Sequence, residues 1–280
     1  MGRGSSGIGA GGGTGSTANL AAGDFPEAFQ SGVDFQSSGD VDHNSRTVTS
    51  SLQRQWDSFA SQMSNGVTAT DEQRMMKDWD YVTDSLYGYI RTTNSFAINK
   101  ALYDPNNAGK TDAQIFTRTD RSGVKRDLQT VQTLDKSIQN NVTPADASYT
   151  RYSGKSAIQA SYGLTNAQMN MIMQAPNMNA QQLTMLNRAL SGTTSFSKAY
   201  TSVSANKSMN AFSNPRASQS RGYIFQRTLN VPKGTHAYAA RRNAQESEVI
   251  FGRKMQTKLR GISVSNDGHI VFHEDFDGYR

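Results

Sequence analysis

The sequence predicts an α+β fold, and three observations carry that expectation. From about residue 51 to residue 190, apolar side chains recur at steps of three and four, the period of a helix face. Beyond about residue 200 the pattern breaks into short β-prone runs separated by Gly, Asn and Pro turns. Helices first and strands later is the α+β order, not the strict alternation of a parallel α/β sheet. A chain of 280 residues can bury a sizeable core, and one domain with an appendage fits that length better than two equal domains.

Nine of the 24 glycines fall in the first 23 positions, and residues 1–48 are dominated by Gly, Ser, Thr, Asn and Asp. Such a stretch cannot bury enough apolar surface to order, so it is expected to be a disordered tail. Gly7 to Gly12 matches the spacing G-x-G-x-x-G, but no strand precedes it and no helix follows, so it is not read as a dinucleotide loop.

The first helix is expected where Leu52, Trp56, Phe59 and Met63 form one stripe. A second is expected from a capping box of Thr70 and Gln73, with Met75, Trp79, Val82, Leu86 and Ile90 on one face. Ser95 to Tyr103 is a third, closed by the turn chemistry of Asp104-Pro105-Asn106-Asn107. Leu128, Val131, Leu134 and Ile138 mark a fourth, ending near Asn140-Asn141, and Ala147 to Tyr152 then reads as a strand. Thr165 with Gln168 caps a Met-rich helix that stops at Pro176, and Asn179 caps another through Leu183, Leu186 and Leu190 to Gly192. The later strands are expected at 200–204, 223–231, 235–240, 248–251, 259–264 and 269–272.

Cysteine is absent, which removes disulfides, thiol nucleophiles and cysteine-based metal sites together. There is no apolar run of eighteen residues and no charged-then-apolar leader, so a soluble protein without Sec-type targeting is expected. The net charge of +6 favours anionic partners such as a dinucleotide, nucleic acid or an acidic surface, although scattered Lys and Arg also simply keep a protein soluble. His269 and His273 lie beside Glu274 and Asp275, but further ligands are lacking, so they read as a solvated tail and not as a metal site.

The stretch Arg241 to Phe251 concentrates the chemistry. Glu246 and Glu248 stand two apart at the entrance to an apolar β-prone run, and in an extended chain they share one face while Ser247 takes the other. Paired carboxylates suit a cationic centre, either a transition state that gains positive charge or an incoming guanidinium.

Other segments agree with this one in order and spacing. Asp84-Ser-Leu-Tyr-Gly-Tyr89 and Ile98-Asn-Lys-Ala-Leu102 are followed by Leu134-Asp-Lys-Ser-Ile138, Pro144 and Tyr149-Thr-Arg151. Then come Tyr200-Thr-Ser-Val-Ser204, Phe212 and Leu229-Asn-Val-Pro-Lys-Gly-Thr235 ahead of the two glutamates. Over about 200 residues this series resembles the mono-ADP-ribosyltransferases of the arginine–serine–glutamate class, which include bacterial binary-toxin enzymes, secreted effectors and phage-encoded modifiers of host proteins. Beyond the tail at 1–48, the resemblance implies a catalytic domain at 49–280, mainly helical over 49–142, with a sheet-rich core of two sheets, a split β-sandwich, over 143–280. Asp84 to Tyr89 resembles a helical segment ahead of that core.

What the resemblance implies about chemistry is specific. ADP-ribose would pass from NAD, as substrate and without a metal, to arginine on a protein, a glycosyl transfer. Glu248 would stabilise the sugar cation, Ser202 would orient Glu248, and Arg151 would grip the phosphates through its planar fork. Tyr152, Ser202 and Ser204 would line the dinucleotide with Arg151, and Glu246 would hold or deprotonate the acceptor. The sequence departs from the family pattern in three places: Val203 where threonine is usual, Tyr152 where glycine is commoner, and Arg241-Arg242-Asn243 where the loop usually has an aromatic. The expected partner is a target-cell protein met in the host cytoplasm after delivery, by a monomeric enzyme that does not engage membrane. Two other readings stay open at this point: a degenerate virion or secretion-apparatus structural protein, and a modifier of nucleic acid.

Overall fold

The computed structural model describes residues 50–90, 94–205, 223–242, 244, 246–266 and 268–280. The expected tail, the Gly7 to Gly12 pattern and Phe212 lie outside those residues. Helix α1 (Ser50–Ser61) turns Trp56 and Ala60 inward, with Met63 just past its end, and the Trp56 indole donates to the Ala240 carbonyl at 3.0 Å. Trp56 and Met63 of the stripe read from the sequence therefore lie on a core face, with Phe59 packed at its edge.

The next segment differs from expectation. Helix α2 (Ala69–Met75) is capped by Thr68 and Asp71, two residues ahead of the expected box, and stops at Met75 without running on to Ile90. A short antiparallel hairpin follows, β1 (Asp78–Asp80) and β2 (Ser85–Tyr87). The cause is local hydrogen bonding that competes with helix. One carboxylate oxygen of Asp80 accepts from the amides of Val82 at 3.0 Å and Thr83 at 3.4 Å, and Asp84 adopts the left-handed region at φ 47. Val82, expected on the buried face, is 72% exposed. Gly88 seals the change, because a Cβ there would meet the Met76 carbonyl oxygen at 2.0 Å, and its φ of +88 suits glycine. Asp84 to Tyr89 is thus a turn, a strand and a tight glycine corner, not a helical segment.

Helix α3 (Asn94–Tyr103) ends in the predicted turn, where the Asp104 side chain accepts from the Asn106 amide at 2.9 Å. A single turn, α4 (Asp112–Ile115), precedes α5 (Arg126–Gln139), which buries Val131, Leu134 and Ile138 as their spacing predicts. Strand β3 (Ala147–Gly154) runs into α6 (Lys155–Tyr162), a helix the sequence reading did not anticipate, although Ile158 and Tyr162 lie one turn apart on its buried face. Helix α7 (Asn166–Met173) carries the capping box Thr165 with Gln168 as read, and α8 (Ala180–Leu190) is capped by Asn179 as read, with Gln182 completing a box that was not anticipated.

The remaining strands are β4 (Thr194–Ser197), β5 (Thr201–Ser204), β6 (Tyr223–Val231), β7 (Ala237–Ala239), β8 (Glu248–Phe251), β9 (Met255–Val264) and β10 (Ile270–Tyr279). Their order is β4-β9-β10-β6-β3-β5-β8-β7, antiparallel except where β10 runs parallel to β6. The joint between β3 and β5 is one residue pair, Thr150 with Ser204, whereas β3 pairs with β6 along its whole length. The eight strands thus form one sheet, narrowed to a single pair at the division between a five-stranded and a three-stranded part. Helix α1 packs on the three-stranded part through Val249 and Phe251. Helices α6, α7 and α8 cover Phe225, Leu259, Ile262 and Phe272 of the five-stranded part. Helices α2, α3 and α5 close over Tyr200, Tyr238 and Ile250.

The segment 269–275 leads into and forms the first part of β10, between β9 and β6, and is not a solvated tail: His269 and Glu274 are buried. A polar cluster makes that burial tolerable. Arg227 donates to Glu274 through two nitrogens, at 2.6 and 2.7 Å, and Thr257 and Tyr162 also hydrogen-bond that carboxylate.

Candidate active site

The division between β3 and β5 is where the chemistry-bearing side chains converge. Strands β5 and β8 pair antiparallel with Ser204 opposite Glu248 and Ser202 opposite Ile250, so both serines share the face of Glu248. The Ser202 hydroxyl donates to a Glu248 carboxylate oxygen. From the other side of the division, Arg151 Nη1 donates to the Ser202 carbonyl at 3.3 Å. One arginine, one serine and one glutamate from β3, β5 and β8 are thereby linked in a single chain of hydrogen bonds. Tyr152, next to Arg151 on β3, sets its ring edge-on to His269 at 5.6 Å between centroids. Ser204 donates to the Glu246 carbonyl at 2.9 Å, tying down the backbone ahead of β8.

The geometry of the two glutamates departs from the sequence argument. Strand β8 begins at Glu248, and Glu246 lies in a turn. Ser247 is wholly buried with φ 45, its amide donates to the Ala244 carbonyl at 3.2 Å, and its own carbonyl accepts from Ala205 at 2.9 Å. Strand alternation therefore does not govern the pair, because a left-handed residue between the two re-aims the chain. The consequence is two unlike environments: Glu248 is 6% exposed, while Glu246 is half-buried.

Residues to which the sequence reading gave no individual role also meet here. The Tyr89 phenol is buried beneath the site and accepts from Asn99 Nδ2 at 3.0 Å. Burial first, and the charge of Glu248 after it, push the Tyr89 pKa well up against the opposing pull of Asn99 and Arg151. Tyr238, directly opposite Ile250 on β7, is likewise pushed up by burial, then by Glu72 and Glu248. Both phenols are thus neutral hydrogen-bonding groups within the field of Glu248. Tyr200 packs edge-on to Tyr89 at 5.4 Å and donates to Asp135 at 2.7 Å, which anchors the entrance to β5. The only sequence signal for Tyr89 was its place in Tyr-Gly-Tyr, where the glycine corner turns it inward. Among the described residues, no group of three or more His, Cys, Asp or Glu is placed to hold a metal ion, and no helix is long and apolar enough to cross a membrane.

The profile of a family described as ADP-ribosyltransferase exoenzyme matches residues 72–274. No curated protein matches the chain. Solved structures do resemble it. The crystal structure of C3stau2 from S. aureus with NAD superposes with a TM-score of 0.55 at 18% identity, over 82% of this chain and 96% of that one. The C3 exoenzyme of Clostridium limosum gives 0.52 at 14% identity, over 81% and 95%. Plx2a, an ADP-ribosyltransferase toxin from Paenibacillus larvae, gives 0.51 at 14% identity, also over 81% and 95%. At these identities the likeness is one of fold.

Proposed function

This chain belongs to the ADP-ribosyltransferase exoenzyme family, whose reaction moves ADP-ribose from NAD to an acceptor, and from that premise we propose that its acceptor is arginine on a protein of a target cell. The observation that carries the site assignment is the chain Arg151–Ser202–Glu248 across the division of the sheet.

In this reading the bond between ribose C1′ and the nicotinamide nitrogen breaks, nicotinamide leaves with the bonding electrons, and positive charge develops on the sugar. Glu248 faces that charge as a fixed, mostly desolvated anion, held by the Ser202 hydroxyl so that little reorganisation is needed at the moment of cleavage. Arg151 offers two parallel donors to the dinucleotide phosphates while its Nη1 stays tied to β5. A guanidinium nitrogen of the acceptor then attacks C1′ and its proton passes to Glu246. The more open setting of Glu246 suits that role, since an arginine side chain must reach it from outside. Delivery into a host cell, whether from a phage or as a secreted effector, belongs to the same proposal.

The test is direct. The purified protein is incubated with NAD and a protein lysate, and modified peptides are sequenced by mass spectrometry. Nicotinamide release with ADP-ribose on arginine supports the reading. Modification confined to other side chains, or to RNA added in place of protein, would overturn the acceptor assignment while leaving the NAD chemistry in place.

A further inference from the structure

The loop ahead of Glu246 carries two consecutive guanidiniums that the chemistry above does not use. The side chains of Arg241 and Arg242 are 46% and 51% exposed, yet both turn towards one carboxylate, that of Glu72 on α2, which is 10% exposed. Arg242 Nε donates to Glu72 Oε2 at 3.1 Å. Arg241 Nε lies 3.8 Å from Oε1, too far for a hydrogen bond, and that buried oxygen accepts none among the described residues. Glu72 is a firm anchor, because α2 is capped by Thr68 and Asp71 and ends in the turn that Met75 and Gly88 lock. The far end of the loop is equally fixed, through Ala205 to Ser247 and Ala240 to Glu248. Tyr238, directly opposite Ile250 of the catalytic strand, is buried, and the charges of Glu72, Glu248, Arg241 and Arg242 all bear on its phenol.

We propose that Glu72 is a positioning residue for transfer to the acceptor, a latch that holds the Arg241-Arg242 limb and thereby sets where Glu246 is presented. The proposal rests on the reading that Glu246 serves an arginine acceptor. Two arginines a few residues from Glu246 would otherwise compete with the incoming guanidinium for that carboxylate and repel it by like charge. Glu72 offsets one of the two charges and turns both side chains back towards α2. The family resemblance points to an aromatic residue in this limb, so a pair of arginines with its own counter-ion is a feature of this chain.

Glu72→Gln keeps the shape and the Thr68 cap but removes the charge. We expect nicotinamide release without acceptor to stay within about twofold, while the ratio of arginine transfer to NAD hydrolysis falls about tenfold, the loss expected from one charge-assisted contact. Hydrogen exchange at amides of 241–247 is expected to speed up about tenfold, with β5 and β8 unchanged. Arg242→Gln, on the exposed side of the pair, reproduces the faster exchange in a variant whose buried residues are untouched. Unchanged exchange in both variants, or equal loss of hydrolysis and transfer in a folded Glu72→Gln protein, would overturn the latch. A parent protein that releases no nicotinamide would refute the functional reading alone, and the exchange data would still decide the latch.

Discussion

Replacing Glu248 with glutamine is the sharpest test of the active-site assignment, because it removes a charge and almost nothing else. The Ser202 hydroxyl can still donate to the amide oxygen, and β8 keeps its backbone ladders to β5 and β7, so the fold should survive. Glu248 is 6% exposed, which places its charge in a weakly screened setting. A unit charge developing about 4 Å away at an effective dielectric near 20 gains about 4 kcal/mol, or roughly 10³ in rate. Mutational loss of one preorganised partner elsewhere costs ~10²–10³, in agreement. We therefore expect nicotinamide release to drop by two to three decades, measured at saturating NAD with and without an arginine acceptor, alongside a thermal melt close to that of the parent. Ser202→Ala leaves the charge but frees it to move, so it should cost about tenfold. A folded Glu248→Gln protein within threefold of the parent would refute the assignment, as would a Ser202→Ala defect larger than that of Glu248→Gln.

Other substitutions probe the remaining parts. Arg151→Lys keeps charge but loses the fork, so KM for NAD should rise about tenfold with kcat little changed; an unaltered KM would place Arg151 outside the pocket. Glu246→Gln should leave slow NAD hydrolysis largely intact, since water still traps the sugar, while transfer to arginine falls about 10² on the same preparation; parallel loss of both would assign Glu246 to the dinucleotide instead. Glu274→Gln strands the buried Arg227 guanidinium and should cost about 3–5 kcal/mol in urea unfolding, whereas Arg227→Met with Glu274→Met together should cost much less; additive losses would contradict a paired network. His273 is held near pKa about 4, by burial first and the Arg260 charge second, below the ordinary 6.5. The unfolded chain therefore takes up the proton first, and stability present above about pH 6.5 declines as pH falls towards 4, by at most about 3 kcal/mol. His273→Gln should flatten that slope, and identical pH profiles for parent and variant would show that another group governs it.

Much of the helical part was legible because its determinants lie within one turn of chain. The capping box of α7, the Asn179 cap of α8 and the buried face of α5 need only partners three or four residues away. The same logic failed between residues 70 and 90, where an apolar pattern of helical period was overridden by Asp80 bonding its own turn and by a glycine corner that packs on Met76. At the active site, residue types and order were legible, but geometry was not. Nothing local announces that Ser247 is left-handed, so strand alternation was a false guide to Glu246.

By itself, then, the sequence determined the α+β class with most of its helices and later strands, the residue types that bear the chemistry, and the family resemblance that joins them. Only the tertiary structure decided which of them meet. Ser202 and Glu248 are 46 residues apart and touch because β5 and β8 are neighbours, and Glu72 reaches Arg242 across 170 residues. Likewise, Ile270 to Asp275 became an inner strand because β10 found β6 in parallel register and Arg227 to balance Glu274. The reason is energetic. Hydrogen bonds and periodicity within a few residues act on the chain wherever it goes, whereas a long-range pair forms only once many distant segments have collectively offset the entropy of bringing it together.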